Sequence, residues 1–435
     1  VIKGRRYNPM TRTLISSSNF CEERTAISSW LLAFVALLGI SLNQASLVYG
    51  LNFSVADLIS VVLVITLFFR RNFQLSVPWL LFFLVLSAST LFVSAFVVPF
   101  IFPYSPEPIN LINGQIKLLA VYVYFFIGGS LARLRMMRHV LRWYLRTSLL
   151  VAGLSWLNLV VNVRAILPTL FFGSMRFRGL MNDPNYFAVL QMAAVAYLWN
   201  LEGGYRRNVS SIILVFSVLM SGSKTGMMVL IAFALFKFID STVWETKTLP
   251  RITIRMISLI LAVLGIMVFL IYQDPVLSRL SMYIPAFGRL SLLFSDFAKA
   301  VSEGGSGRDR TWAVALELLK LSPIFGVGAG TYTGLTRALW NYGSIAHNTF
   351  LQISVEWGLP LSLIFITTLI TLVVKVSLKE AYRTSENIML RDILLVFLVG
   401  SLAISLNNAR LFWIVFGALA YSVKGSGFDE VTRGM

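Results

Sequence analysis

The sequence predicts an all-α polytopic membrane protein of about twelve transmembrane helices, and three observations carry that prediction. Of 435 residues, 57% are hydrophobic and only 13% charged, roughly half the ~25% charge of a soluble domain; mean hydropathy is +0.78. Runs such as SSWLLAFVALLGISL, ADLISVVLVITLFF and MISLILAVLGIMVFLIY approach or reach the ~20 residues that cross a bilayer. Lysine and arginine gather in alternate connections between such runs, the asymmetry that cytoplasmic loops acquire.

Taken in order, the apolar runs lie near 29–49, 52–69, 77–101, 111–132, 145–163, 184–201, 209–222, 225–240, 254–273, 348–374, 391–408 and 411–423. The chain divides accordingly into a cytoplasmic N-terminal segment (1–28), a bundle of about nine spans (29–273), a long outer loop (274–347), the C-terminal spans (348–423) and a cytoplasmic tail (424–435). The first run is expected to be a retained span, since no small-residue cleavage site accompanies it.

Net charge is +18. In a soluble chain that would suggest nucleic acid; here the basic residues fall in connections such as Arg70–Arg71, Arg133–Arg146 and Lys375–Arg391, which puts both termini in the cytoplasm and leaves no role for nucleic acid. His139 falls in that basic set, where it is expected to be a solvated loop residue. The single cysteine, Cys21, excludes an intrachain disulfide and a cysteine metal site. Membrane lipids are the general partner.

The outer face then holds few polar groups. The loop RFRGLMNDPNYFA brings Arg176, Arg178, Asp183 and Asn185, with Asp183 suited to cap a helix that has Pro184 at its first position. The turn SGSKTG sets Lys224 between glycines at the membrane edge, where a cation is expensive and its helix start favours anions. The stretch GRDRTW brings Arg308, Arg310 and Trp312, with Trp312, Leu316 and Leu319 expected as a packing stripe. Gly326, Gly328 and Gly330 follow no strand, so a dinucleotide fingerprint is rejected.

His347 is the one imidazole expected on that face. A helix start there disfavours protonation and leaves the neutral form a general base needs. Asn348, Gln352 and Glu356 recur every four residues, an inward polar stripe. Arg410 lies near a last outer turn. No Asp-x-Asp metal motif occurs, and no cofactor is expected. One base with several cations suits a substrate that carries its own anionic leaving group, and a diphosphate fits.

The stretches RFRGLMNDPNYFA, SGSKTG, GRDRTW, SPIFGVGAGTY and AHNTFLQISVEWGLP, in that order over roughly residues 170–375, resemble the O-antigen polymerase and O-antigen ligase superfamily of bacterial envelopes. The resemblance implies an inner-membrane glycosyltransferase of GT-C-type architecture, its outward cavity capped by a long periplasmic loop of amphipathic helices. It implies a donor glycan on undecaprenyl diphosphate, transferred without metal to a sugar hydroxyl. His347 matches the family's proposed base, Arg308 its loop arginine, and Arg178 the arginine ahead of Pro-Asn. Lys224 stands where many relatives have arginine, keeping the charge and losing the bidentate fork.

The expected catalytic residues are His347 and Arg308. Arg178 and Lys224 hold the diphosphate, with Arg176, Arg310 and Arg410 as further cations, while Asn348, Glu356, Asp183, Asn185 and Trp312 support them. Inversion is expected, because no carboxylate is placed to form a glycosyl intermediate. The number of cations leans towards a polymerase, whose two substrates both carry diphosphates and which would work beside a chain-length regulator. A ligase delivering to lipid A-core, a flippase of the lipid-linked glycan and a membrane scaffold are the alternatives.

Overall fold

The computed structural model describes residues 29–44, 53–173, 176–201, 203–245, 279, 281 and 307–433. The expected N-terminal segment, the span at 254–273, residues 282–306 of the long loop and Cys21 lie outside them.

The described chain is almost wholly helical. Its helices are α1 (Ser29–Ser41), α2 (Val55–Phe69), α3 (Val77–Ile101), α4 (Pro108–Arg133), α5 (Met137–Leu157), α6 (Pro184–Trp199), α7 (Tyr205–Met220) and α8 (Lys224–Glu245). There follow α9 (Arg308–Leu321), α10 (Tyr332–Trp340), α11 (Thr349–Trp357), α12 (Leu359–Leu378), α13 (Ser385–Ser401) and α14 (Arg410–Arg433). One two-stranded ribbon, β1 (Phe171–Phe172) with β2 (Arg176–Phe177), closes the loop before α6. Four of the described helices, Val77–Ile101, Pro108–Arg133, Lys224–Thr242 and Leu359–Leu378, are long and apolar enough to cross a membrane.

Outward-facing leucine, isoleucine and phenylalanine on α2, α3, α4 and α12, such as Phe68, Phe96, Leu119 and Ile364, are exposed; helices that end in hydrocarbon leave their apolar side unburied by protein. α4 and α14 pack along each other. A Cβ at Gly128 would meet the Ile414 carbonyl oxygen at 2.0 Å, and one at Gly417 the Phe125 oxygen at 1.9 Å, so the glycines let the backbones touch, as small residues do in membrane bundles. A second, smaller core sits at the C-terminal end of α3, where Val93, Val98, Ala315, Leu318, Val327, Tyr332, Leu335 and Val355 pack together.

Several sequence expectations need correction. The basic stretch before the fifth span is helical: Arg138, Arg142 and Arg146 line the exposed side of α5, four residues apart, opposite buried Val140, Leu141 and Tyr144. His139 is therefore a half-buried helical residue with Nε2 3.3 Å from the Leu32 carbonyl. Arg391 is no loop residue either. It is fully buried in α13 and pairs with Asp240 at 2.8 Å and Asp392 at 2.7 Å, beside the pairs Lys237–Asp392 and Arg383–Asp240. The continuous helix expected over 348–374 is two helices broken at Gly358, whose φ is +79°.

The break has a clear cause. Val327 N–H donates to the Val355 carbonyl and Gly328 N–H to that of Glu356, at 2.8 and 3.0 Å. The glycine turn after α9 thus satisfies carbonyls that the end of α11 leaves open. Gly326, Gly328 and Gly330 all have positive φ, and a Cβ at Gly328 would meet Ser94 Oγ at 2.0 Å. That turn is a packing device against α3, α4 and α11. On α9 the buried face is Thr311, Ala315 and Leu318, while Leu316 is exposed, so the stripe expected through Trp312 and Leu316 is displaced by one position.

Candidate functional site

Three segments distant in sequence converge at one end of the bundle. The first is the loop into α6. Asp183 Oδ1 accepts from the amides of Asn185 and Tyr186 at 2.7 and 3.0 Å, so it caps the helix that Pro184 begins, as expected. Gly179, at φ +54°, turns the chain between β2 and that cap. Arg178 donates to the carbonyls of Thr169 and Asn182 at 3.1 and 3.2 Å and so clasps both ends of the loop.

The second is the turn between α7 and α8. Gly222, at φ +56°, reverses the chain; Ser223 Oγ then accepts from Gly226 N–H at 2.9 Å and starts α8, leaving Lys224 buried in its first turn. Arg176 Nε donates to the Ser221 carbonyl at 2.8 Å and its Nη2 to Asn185 Oδ1 at 3.0 Å, while Ser223 Oγ donates to the same Asn185 oxygen at 2.9 Å. Arg176 and Asn185 therefore fasten the turn to the α6 loop. This is a structural engagement that their place in sequence did not reveal.

The third is the start of α9 with the approach to α11. Arg308 Nη2 donates to Thr225 Oγ1 at 3.0 Å, which sets its charge beside the Lys224 turn. Two residues on, exposed Arg310 lies over the Tyr342 ring at 4.7 Å, and Trp312 Nε1 is buried with no partner among the described residues. His347 stands at φ +50°, a conformation uncommon outside glycine and costly unless neighbours enforce it. They do so here. Gln352 Oε1 accepts from Ala346 N–H at 2.9 Å; Asn348 caps α11 through Leu351 N–H at 3.0 Å and donates to the Leu402 carbonyl at 3.1 Å. Thr349 bonds Ile404 and Leu406, both at 2.8 Å. Gln352 Nε2 donates to Glu356 Oε1, so the polar stripe of α11 faces inward as expected.

His347 opens into a cavity of about 240 Å³ that also takes in Asp183, Tyr186, Ser405 and Arg410. Burial lowers the imidazole pKa, Arg308 lowers it further by charge, and Asp183 opposes them; the ring is neutral near pH 7. Asp183 lines the same cavity, because capping α6 brings its side chain there. Burial also lowers the Arg308 pKa, though a guanidinium keeps its proton.

Arg410 is a committed cation. Its Nη2 and Nε reach Asp57 Oδ2 and Oδ1 at 2.6 and 2.9 Å, and Tyr124 donates to Asp57 at 2.7 Å. Asp57 also accepts from Ser54 N–H at 2.7 Å. Sequence reasoning missed Asp57, an acidic residue inside an apolar run; a charge at that depth was the available signal. Among the described residues no cluster of three or more His, Cys, Asp or Glu side chains could hold a metal ion.

Residues 209–366 match the family model described as O-Antigen ligase, a stretch that contains Lys224, Arg308 and His347. The match takes in the stretches SGSKTG, GRDRTW, SPIFGVGAGTY and AHNTFLQISVEWGLP. No curated protein matches the chain.

Proposed function

We propose, for a membrane protein of the O-antigen ligase and polymerase superfamily, that the cavity at His347 transfers a glycan from undecaprenyl diphosphate to a sugar hydroxyl at the outer face of the inner membrane. The observation that carries this reading is the position of Arg308. It bonds Thr225 beside Lys224 while its charge acts on both His347 and Asp183. A neutral base and a buried guanidinium therefore act on each other, with Lys224 next in sequence to the hydroxyl that Arg308 bonds.

In the proposed step His347 takes the proton of the acceptor hydroxyl, the oxygen bonds to the anomeric carbon, and the bond from that carbon to the diphosphate oxygen breaks. Charge grows on the departing diphosphate, where Arg308 and Lys224 offset it. Arg178 shapes the loop at the edge of the site and has guanidinium capacity left beyond its two carbonyl bonds. Direct attack inverts the anomeric carbon. Asp183, held by two amides, steadies the imidazolium that forms. The architecture is read as GT-C-type with about twelve spans, both termini cytoplasmic, and no cofactor.

The acceptor on this reading is an incoming lipid-linked repeat, which makes the protein a polymerase. Arg410 is neutralised by Asp57 and Arg310 lies over Tyr342, which weakens the case for a second diphosphate site. Transfer to lipid A-core, a ligase activity, is therefore the second reading. Purified protein given defined undecaprenyl diphosphate-linked oligosaccharide is expected to lengthen it, and the anomeric configuration of the product should be inverted. A deletion strain separates the two acceptors: lipopolysaccharide with one repeat indicates a lost polymerase, bare core a lost ligase. Bare core with the lipid-linked substrate trapped on the cytoplasmic side, instead of accumulating on the outer side, would overturn both in favour of a flippase.

A further inference from the structure

A second cavity of about 290 Å³ lies against the first and shares Ile345, Ser405 and Asn408 with it. It sits between α4, the glycine turn and α11. Its wall is unlike that of the His347 cavity: amides of Asn110, Asn113, Gln352 and Asn407 dominate, and its two charges, Lys117 and Glu356, are opposite in sign.

Three buried polar atoms on this wall have no partner among the described residues: Tyr332 Oη, Trp357 Nε1 and Ser405 Oγ. Tyr332 and Trp357 are each only 2% exposed. Buried polar atoms are nearly always satisfied, and leaving one open costs about 1–3 kcal/mol. Their convergence on one cavity marks a place that a polar guest completes. Phosphate is a poor guest, because Lys117 is the one cation on the wall and Glu356 brings a carboxyl group beside it. An apolar chain would leave the three atoms unbonded. A polyol supplies hydroxyls that both donate and accept, and an apolar ring face that suits Trp357 and Tyr332. The volume is close to the ~300 Å³ at which small-ligand pockets begin.

We infer that this amide-lined cavity is the subsite for the acceptor sugar ring, placing its reactive hydroxyl at His347 across the shared boundary of Ile345, Ser405 and Asn408. The inference rests on the glycosyl-transfer reading for the direction of attack, but sugar binding itself can be measured without it. Tyr332→Phe and Trp357→Phe test it; the first deletes only the hydroxyl, the second removes the indole N–H and keeps an aromatic ring. Asn113→Leu, which replaces an amide of the wall with an apolar side chain of similar shape, is the third variant.

The probe is the single-repeat oligosaccharide of the producing strain, released by mild acid so that it carries no diphosphate. Its binding to detergent-purified protein is followed by calorimetry, with undecaprenyl diphosphate titrated in parallel. Oligosaccharide affinity should fall about five- to tenfold in Tyr332→Phe and Trp357→Phe and further in Asn113→Leu, with undecaprenyl diphosphate affinity unchanged. In the transfer assay the acceptor KM should rise while the donor KM holds. Wild-type oligosaccharide affinity in all three variants, with melting temperatures also unchanged, overturns the subsite and leaves the transfer reading intact. Weakened oligosaccharide binding in a protein that binds no undecaprenyl diphosphate and makes no product supports the subsite and overturns the transfer reading.

Discussion

Arg308 and Thr225 are joined by a hydrogen bond of 3.0 Å across 83 residues of chain. It fixes a guanidinium where its field reaches His347. Burial and then that field lower the imidazole pKa, so the protonated form is disfavoured and a base at this position works through neutrality, failing only as pH drops below the ordinary histidine range. Arg308→Gln removes the second cause. The pKa must then rise, and the acid limb of kcat/KM should move to higher pH. A limb that stays in place, or moves down, would separate the titrating group from His347.

His347→Ala should reduce turnover by about 10²–10⁴-fold, the usual contribution of a positioned base. Because the cations are untouched, affinity for undecaprenyl diphosphate should hold. Single-turnover assays with a parallel binding measurement check both halves; wild-type turnover removes His347 from the chemistry.

The pair of Asp57 and Arg410 joins α2 to α14, with both side chains largely buried. Asp57→Asn alone should destabilise by about 3–5 kcal/mol, since it strands a buried guanidinium. Replacing both residues with apolar side chains should recover much of that loss. Thermal unfolding in detergent reads the cycle. Additive losses in the double variant would mean that the two residues stabilise independently.

Gly358 and Gly153 form a matched contrast. At Gly358 φ is +79° and a Cβ would meet the Ile324 carbonyl oxygen at 2.0 Å, whereas a Cβ at Gly153 has nothing within 4 Å among the described residues. Gly358→Ala should cost at least about 1–3 kcal/mol and disturb the start of α12. Gly153→Ala, inside α5, should be neutral or stabilising by up to about 1 kcal/mol. The same unfolding experiment compares them, and equal melting temperatures would show that the break at Gly358 is not enforced by its backbone.

Much of the site could be read along the chain. The cap at Asp183–Pro184, the sharp turn around Lys224 and the inward stripe through Asn348, Gln352 and Glu356 are local features, set by periodicity and turn chemistry within a few residues. The cations were harder to sort. Arg176, Arg178, Arg310 and Arg410 look alike in sequence, yet one fastens the Ser221 turn, one clasps its own loop, one lies over Tyr342 and one is bound to Asp57. Nothing nearby in the chain distinguishes them, because each partner is chosen by packing.

The sequence by itself determined that this is a helical membrane protein, where caps such as Asp183 and Asn348 begin a helix, and which few polar side chains stand as candidates for chemistry. Composition and short-range spacing suffice for that, since burial in lipid and helix capping are local constraints. Only the tertiary structure decided which charges are spent on each other, that the helix carrying the polar stripe stops at Gly358, and that a neutral amide-lined cavity adjoins the imidazole. Those outcomes depend on contacts such as Val327 with Val355 and Arg410 with Asp57, whose partners meet only after the helices have packed.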